Sequence, residues 1–177
     1  MEAIHLWWIG EKEPGARTLE HVRLHLGRAL GAPVRVFHDP SRPPDAFDPR
    51  RKQWSTSRIL AWLGTTGPPG KVLAVTDQDL FIPILTFVFG EAQLGGRAAV
   101  VSTARLGEPG LPDPRIALER LAKESVHEIG HCFGLVHCDS PGCVMGRSPS
   151  ARDVDRKRGD FCSKCRDRVA RAGGETR

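Results

Sequence analysis

The sequence predicts one α/β domain, built on a twisted, mostly parallel sheet that helices cover. Apolar runs at residues 4–9, 34–37 and 71–75 are typical of buried strands. Between these runs, residues 18–30 and 57–63 carry apolar side chains at helical spacing. An order of strand, helix, strand, helix and strand is characteristic of a parallel sheet with helices on its faces.

The first three elements follow from their composition. Residues 4–9 are densely apolar, which suits a strand buried on both faces. In the following helix, Leu19, Val22 and Leu26 recur at spacings of three and four residues. After the second strand, residues 39–50 are rich in Pro and Asp and predict a loop.

Two further strands are expected at residues 86–89 and 97–103, joined by the short link 90–96. A link of this length indicates an antiparallel pair, so one edge of the sheet runs against the rest. We expect residues 97–103 to form an exposed edge at which an extended peptide could add as a further strand.

Asp113 and Pro114 mark the start of a long helix, with Asp as the N-cap and Pro in the first turn. The charged residues after Arg166 predict a final helix. We expect residues 1–177 to form a single domain, in which residues 1–112 supply the sheet and packing helices and residues 113–177 carry the chemistry.

Composition narrows the class of protein. The N-terminus lacks the pattern of a secretory signal, and no apolar run reaches the roughly 20 residues that cross a bilayer. We therefore expect a soluble, cytoplasmic chain with no membrane partner.

Nine of its Lys and Arg residues fall in residues 151–177, against five Asp and Glu. Because Phe161 is the sole aromatic residue after Phe133, this basic segment favours a solvated helix face over nucleic-acid binding.

The helix after Pro114 contains His127 and His131, four residues apart, with Glu128 beside the first. On a helix, this spacing points two imidazoles at one metal ion and leaves the carboxylate alongside. The motif alone is moderately specific, since most histidines on helices bind no metal.

The residues that follow complete this motif. Gly134 allows the helix to end in a left-handed turn, so that the chain can bring His137 back to the same point. Three imidazoles with a fourth position open to water are typical of catalytic zinc. Met145 precedes Gly146 and is interpreted as a Met-turn beneath the three imidazoles, the alternative being an ordinary core methionine.

Five cysteines occupy the last third of the chain. Four of them form two pairs with metal-ligand spacing, which predicts a closed, structural zinc site: Cys138, Cys143, Cys162 and Cys165. A redox pair or buried free thiols are the alternatives, and a redox pair would place Cys162 at an exposed helix start. Cys132 is interpreted as a small apolar core residue.

Together these histidines, cysteines, Glu128, Gly134 and Met145 resemble the archaemetzincins, a metzincin family in which a cysteine cluster directly follows the zinc helix. Residues 76–81, 87–92 and 99–102 extend the resemblance over effectively the whole chain.

The resemblance implies a metzincin-like α/β fold of the zincin type and a zinc metallopeptidase with two zinc ions, one catalytic and one structural. Glu128 is then the general base that activates a zinc-bound water for attack on a peptide bond. The expected partner is a peptide or protein substrate. Its identity and the choice between aminopeptidase and endopeptidase stay open. We expect a monomer, although nothing in the sequence reports the oligomeric state. The alternative function is a non-catalytic, zinc-stabilised binding protein on the same scaffold.

Overall fold

The fold is described from a computed structural model, which describes residues 2–15, 17–108 and 110–174. The end of the basic segment, residues 175–177, lies outside this part of the chain. The strands are β1 (Ile4–Trp8), β2 (Val34–Phe37), β3 (Phe47–Asp48), β4 (Gln53–Ser55), β5 (Lys71–Thr76), β6 (Leu80–Phe81), β7 (Gly90–Ala92) and β8 (Ala98–Ser102). The helices are α1 (Thr18–Leu30), α2 (Thr56–Thr66), α3 (Arg115–Cys132), α4 (Ala151–Arg156) and α5 (Ser163–Gly174).

Five strands form the main sheet in the order β2, β1, β5, β8, β7. The first four are parallel, and β7 runs antiparallel to β8. The predicted α/β class with one antiparallel edge strand is therefore confirmed. A small second sheet of β3, β4 and β6, which the sequence did not predict, flanks this one.

Alternate residues of each central strand face two different core clusters. On one face, Leu6, Leu73 and Val101 pack with the buried sides of α1 and α3. On the other face, Val72 and Val100 pack with α2. Because both faces are covered, strands such as β5 are apolar throughout instead of alternating.

The predicted position of the edge strand is wrong by four residues. The edge is Gly90–Ala92, which the sequence assigned to the link, whereas the predicted strand at 86–89 contributes an isolated bridge between Leu80 and Val88. The predicted exposed edge at 97–103 is wrong as well. Its central residues form β8, which hydrogen-bonds to β5 on one side and to β7 on the other, so no peptide can pair with it.

Helix α3 begins at Arg115, two residues after Asp113. The Asp113 carboxylate accepts a hydrogen bond from the Arg115 backbone N–H at 2.8 Å, which is the capping contact expected of this residue. Leu121, Ala122 and Ile129 bury one side of the helix. Among the described residues, no helix has the length and apolar character needed to span a membrane.

Candidate metal centres

Two histidines on α3 hold their ring nitrogens in a fixed orientation. The Nδ1 of His127 lies 2.8 Å from the carbonyl oxygen of Val144, and that of His131 lies 2.6 Å from the oxygen of Leu135. A carbonyl can only accept, so each Nδ1 carries the proton and each Nε2 carries a lone pair. The two Nε2 atoms face each other at 3.1 Å.

A turn after α3 brings the third histidine to the same point. Gly134 has φ 81°, a left-handed conformation that glycine adopts without strain, and its N–H donates to the carbonyl of His131 at 2.8 Å. The ring of His137 then lies 5.3 Å from that of His127 and 5.1 Å from that of His131, centroid to centroid.

The three imidazoles fit a zinc ion. Their ligand nitrogens lie within 4.8 Å of one another. Zinc–nitrogen bonds of about 2.0–2.1 Å in a tetrahedral site place neighbouring nitrogens about 3.3–3.4 Å apart, close to the observed 3.1 Å. Burial lowers the pKa of all three imidazoles, which favours the neutral form that binds metal.

Glu128 lies beside this cluster in a closely packed environment. It is 5% exposed, and its side chain rests against Gly90 of the edge strand, where an added Cβ would lie 2.8 Å from the Glu128 Cγ. Burial raises the pKa of Glu128 well above its usual value, and the nearby carboxylate of Glu124 raises it further. Such a carboxylate is a stronger base than one in water.

A buried ion pair, which the sequence did not predict, lies near the histidine cluster and Glu128. Lys157 donates to the Glu124 carboxylate at 2.7 Å and to the carbonyl of Gly146 at 3.2 Å, and both side chains are nearly inaccessible. Lys157 also lowers the pKa of His127, although burial has the larger effect. The pair joins α3 to the segment after α4, 33 residues away.

Met145 is fully buried against the zinc helix. Its Sδ would lie 2.5 Å from a Cβ added at Gly130, between the two helical histidines. A Cβ at this position would therefore force the thioether to shift, a close contact that the sequence did not predict. The Met-turn stays a prediction, since burial against the helix is also expected of an ordinary core methionine.

The four paired cysteines form a second cluster, directly adjacent to the first along the chain because Cys138 follows His137. Their sulfurs lie within 4.8 Å of one another, and those of Cys138 and Cys162 are 3.8 Å apart. Zinc–sulfur bonds of about 2.3 Å in a tetrahedron imply sulfur separations of about 3.8 Å. The four thiols fit a closed zinc site.

Cys162 directly precedes α5, as the redox alternative required, but it is half-buried among the other three thiols. The backbone N–H of Cys165 donates to its sulfur and lowers the pKa of Cys162 to about 6, which favours the thiolate that zinc requires. Cys132 lies apart from this cluster in the core. Its side chain is buried, as predicted for a small apolar core residue, and burial raises the pKa of this thiol to about 12, which disfavours the thiolate.

A cleft of about 680 Å³ opens onto the histidine cluster. Its floor includes Glu128 and the three histidines, and Arg147 adds a positive charge to its wall. The larger apolar side chains that line it are Leu85, Phe87, Val88, Phe89, Leu94 and Val136. The histidine cluster thus meets solvent through an open, largely apolar cleft.

Comparison with known proteins gives consistent matches. Residues 62–171 match the model of peptidase family M54. The chain is 43% identical over 157 residues to an archaemetzincin of Methanopyrus kandleri, covering 88% of this chain and 85% of that one. The crystal structure of archaemetzincin from the same organism has a TM-score of 0.86 at 38% identity, over 96% of this chain and 94% of that chain. A zinc-dependent peptidase from Methanocorpusculum labreanum has a TM-score of 0.81 at 34% identity, over 94% and 99% of the two chains.

Proposed function

This chain belongs to peptidase family M54, the archaemetzincin family, and from that premise we propose that His127, His131 and His137 hold its catalytic zinc with Glu128 as the general base. The protein is a zinc-dependent metallopeptidase that acts on peptides. One observation carries the assignment of residues. Three ligand nitrogens converge at the floor of an open cleft, and a buried carboxylate adjoins them.

The zinc, when bound, supplies Lewis acidity that polarises a peptide carbonyl and acidifies water. Glu128 takes a proton from the attacking water and delivers it to the leaving amine. Burial raises the pKa of Glu128, which favours its holding the proton between these two steps. The chain contains no tyrosine, so no phenol can donate to the developing oxyanion.

The substrate adds to the sheet beside β7. In the described part of the chain, β7 hydrogen-bonds to β8 and to no second strand, so its outer backbone groups are available for an extended peptide. Gly90 and Glu91 of this strand line the cleft next to Glu128. The apolar wall favours apolar side chains in the substrate.

The second zinc is structural. Four thiolates leave no open position for a water or a substrate, so this zinc fastens residues 138–143 to the start of α5. Met145 and Gly134 serve the catalytic zinc indirectly, the first by packing beneath its helix and the second by reversing the chain.

We further propose that residues 1–177 act as one catalytic domain, as a monomer and in the cytoplasm. The shared core of α1, α3 and the sheet supports the single domain. A four-thiolate site supports a compartment that keeps thiols reduced. A role in nucleic-acid binding is not favoured.

The non-catalytic alternative is disfavoured because a purely structural metal has no use for a buried carboxylate beside it. The test is zinc content and turnover of a peptide library, for the wild type and Glu128→Gln, with the exposed Glu13→Gln as the matched control. We expect the same zinc content in all three proteins and a loss of turnover of about 10²–10⁴-fold in Glu128→Gln alone. Unchanged zinc content with unchanged turnover in Glu128→Gln would contradict the role of this residue. No turnover of any peptide by the wild type would favour the binding protein.

A further inference from the structure

A third cluster of ligand-type side chains lies between α1 and α3, away from the two metal centres. His21 and His25 occupy successive turns of α1, and Glu119 faces them from the first half of α3. One ligand atom from each side chain lies within 4.8 Å of the other two. Their spacing repeats the four-residue separation of the two histidines on the zinc helix.

The proton of His25 is positioned away from Glu119. Its Nδ1 lies 3.1 Å from the backbone carbonyl of His21, which can only accept, so this nitrogen carries the proton. In the neutral ring, Nε2 then presents a lone pair to the Glu119 carboxylate, 3.4 Å away. Two electron-rich atoms at this distance repel each other unless a proton or a metal ion joins them.

His21 gives an independent indication. Its Nε2 is buried and lies 3.0 Å from a Glu119 oxygen, yet among the described residues it makes no hydrogen bond of good geometry. Nitrogens and oxygens that converge without bonding to one another are typical of ligands around a common ion. Burial lowers the pKa of His21, which favours the neutral imidazole that a metal requires.

The donor set defines the class of ion. Two imidazoles and one carboxylate are ligands of zinc and of similar divalent transition metals. The bond from His25 Nδ1 to a carbonyl is the outer contact that orients a metal-binding imidazole. Glu119 is 49% exposed, so water can complete the coordination.

We propose that His21, His25 and Glu119 form a third metal site, specific for zinc-class divalent ions, which fastens α1 to the zinc helix. Such an ion would contact both the Nε2 of His25 and the Glu119 carboxylate. It would stabilise the packing of α1 on α3, the helix that carries the catalytic histidines. This site is independent of the proposed catalytic roles, and its occupancy can be measured in an inactive variant.

The test is equilibrium dialysis of the full chain against zinc at neutral pH, followed by determination of zinc per chain. We expect three equivalents in the wild type and two in His25→Gln and Glu119→Gln. The exposed His38→Gln is the matched control and should retain three. The same loss of one equivalent upon His25→Gln is expected in a His131→Gln background, from two equivalents to one, which separates this site from the catalytic one.

Thermal unfolding provides the second measurement. Raising free zinc to about a hundredfold over the dissociation constant of the third site should raise the Tm of the wild type by on the order of 5 °C, and that of His25→Gln much less. Two equivalents in the wild type would overturn the proposal and leave a protonated histidine–glutamate pair. A third equivalent that persists in both His25→Gln and Glu119→Gln would also overturn it, because the ion would then lie elsewhere.

Discussion

The histidine cluster and the cysteine cluster are adjacent in the chain but are held in different ways. Two of the three histidines project from one helix, and backbone carbonyls fix the orientation of their rings. The cysteines come from a loop and from the start of a separate helix, 19 residues of chain apart at Cys143 and Cys162. The histidine cluster opens onto a cleft, whereas the four sulfurs of the cysteine cluster converge on one point and leave no open side there.

Because of this difference, we expect the histidine cluster to determine activity and the cysteine cluster to determine stability. A site built on one helix depends little on its metal for its shape, and its open side admits a substrate. A site assembled from two segments draws them together only when its metal is bound, so metal binding there contributes to folding. Variants of the two clusters should therefore affect different measurements.

The largest effect is expected for His131→Gln. Loss of a ligand should remove the catalytic zinc and lower kcat/KM by more than about 10²-fold, since even the loss of a contact to a ligand costs 10–100-fold. The Tm should fall by a few degrees at most, because the helix retains its packing. Peptide turnover, zinc content and thermal unfolding test this. A large fall in Tm with unchanged turnover would contradict this division, because the histidine cluster would then serve stability and not catalysis.

The second-largest effect is expected for Cys162→Ser, which should lower stability more than turnover. Loss of a thiolate should remove one zinc and destabilise the fold by on the order of 3 kcal/mol, or roughly 6–12 °C in Tm. Below the transition, turnover per folded molecule should fall less than in His131→Gln. Cys132→Ala, a cysteine outside the cluster, is the control and should retain both ions. Equal zinc content in Cys162→Ser and the control would contradict the assignment.

A smaller effect is expected for Gly130→Ala, which tests the support beneath the histidines. The new methyl group would press on Met145 and, at 3.1 Å, on Phe161. We expect a loss of about 1–3 kcal/mol by overpacking, together with weaker zinc binding at the histidine cluster. Gly27→Ala in α1 is the matched control, since its Cβ would have no neighbour closer than 3.7 Å. It should stabilise the protein by about 0.5–1 kcal/mol through helix propensity, so equal effects of the two changes would contradict a close packing role for Gly130.

The smallest effect is expected for Asp155→Asn on α4, in the segment of chain between Cys143 and Cys162. Arg120 of α3 is buried and donates two hydrogen bonds to Asp155, at 2.8 and 2.7 Å, which lower the pKa of this carboxyl. A lowered folded-state pKa means that the contribution is complete above the unfolded value near 3.9 and is lost as the pH falls through the folded value. With Asp155 43% exposed, we expect a loss of about 1 kcal/mol at neutral pH.

Urea unfolding of the wild type and Asp155→Asn at neutral pH and near pH 3 would measure this contribution. The difference between the two proteins should shrink at the lower pH. A difference that is the same at both pH values would show that the ion pair is not its source. These measurements test the ion pair between α3 and α4 separately from the binding of metal.

The ligand clusters could be predicted because their members lie close together in the sequence. His127, His131 and His137 span a helix and one turn, so local geometry alone brings them together. The pairing of Glu124 with Lys157 depends on how α4 returns to α3, which no local pattern encodes. The close packing at Gly130 depends in the same way on a distant methionine.

The edge strand was misplaced for a related reason. Phe87, Val88 and Phe89 have high strand propensity, but they line the cleft and add one bridge to β6. Gly90–Ala92 has low propensity and pairs with β8, because tertiary context overrides propensity in short strands. Helix α4 was missed although Ser150 and Asp153 form a capping box that marks its start.

The adjacency of His137 and Cys138 has a consequence for how the protein matures. Their Cα atoms are about 3.8 Å apart, so a metal that captures Cys138 also confines His137 near its final position. This confinement raises the effective concentration of the third imidazole for the other ion. We therefore expect the two ions to load in order, the thiolate site before the histidine site. Oxidation of the thiols before loading would then slow the loading of the histidine site and weaken its hold on the metal.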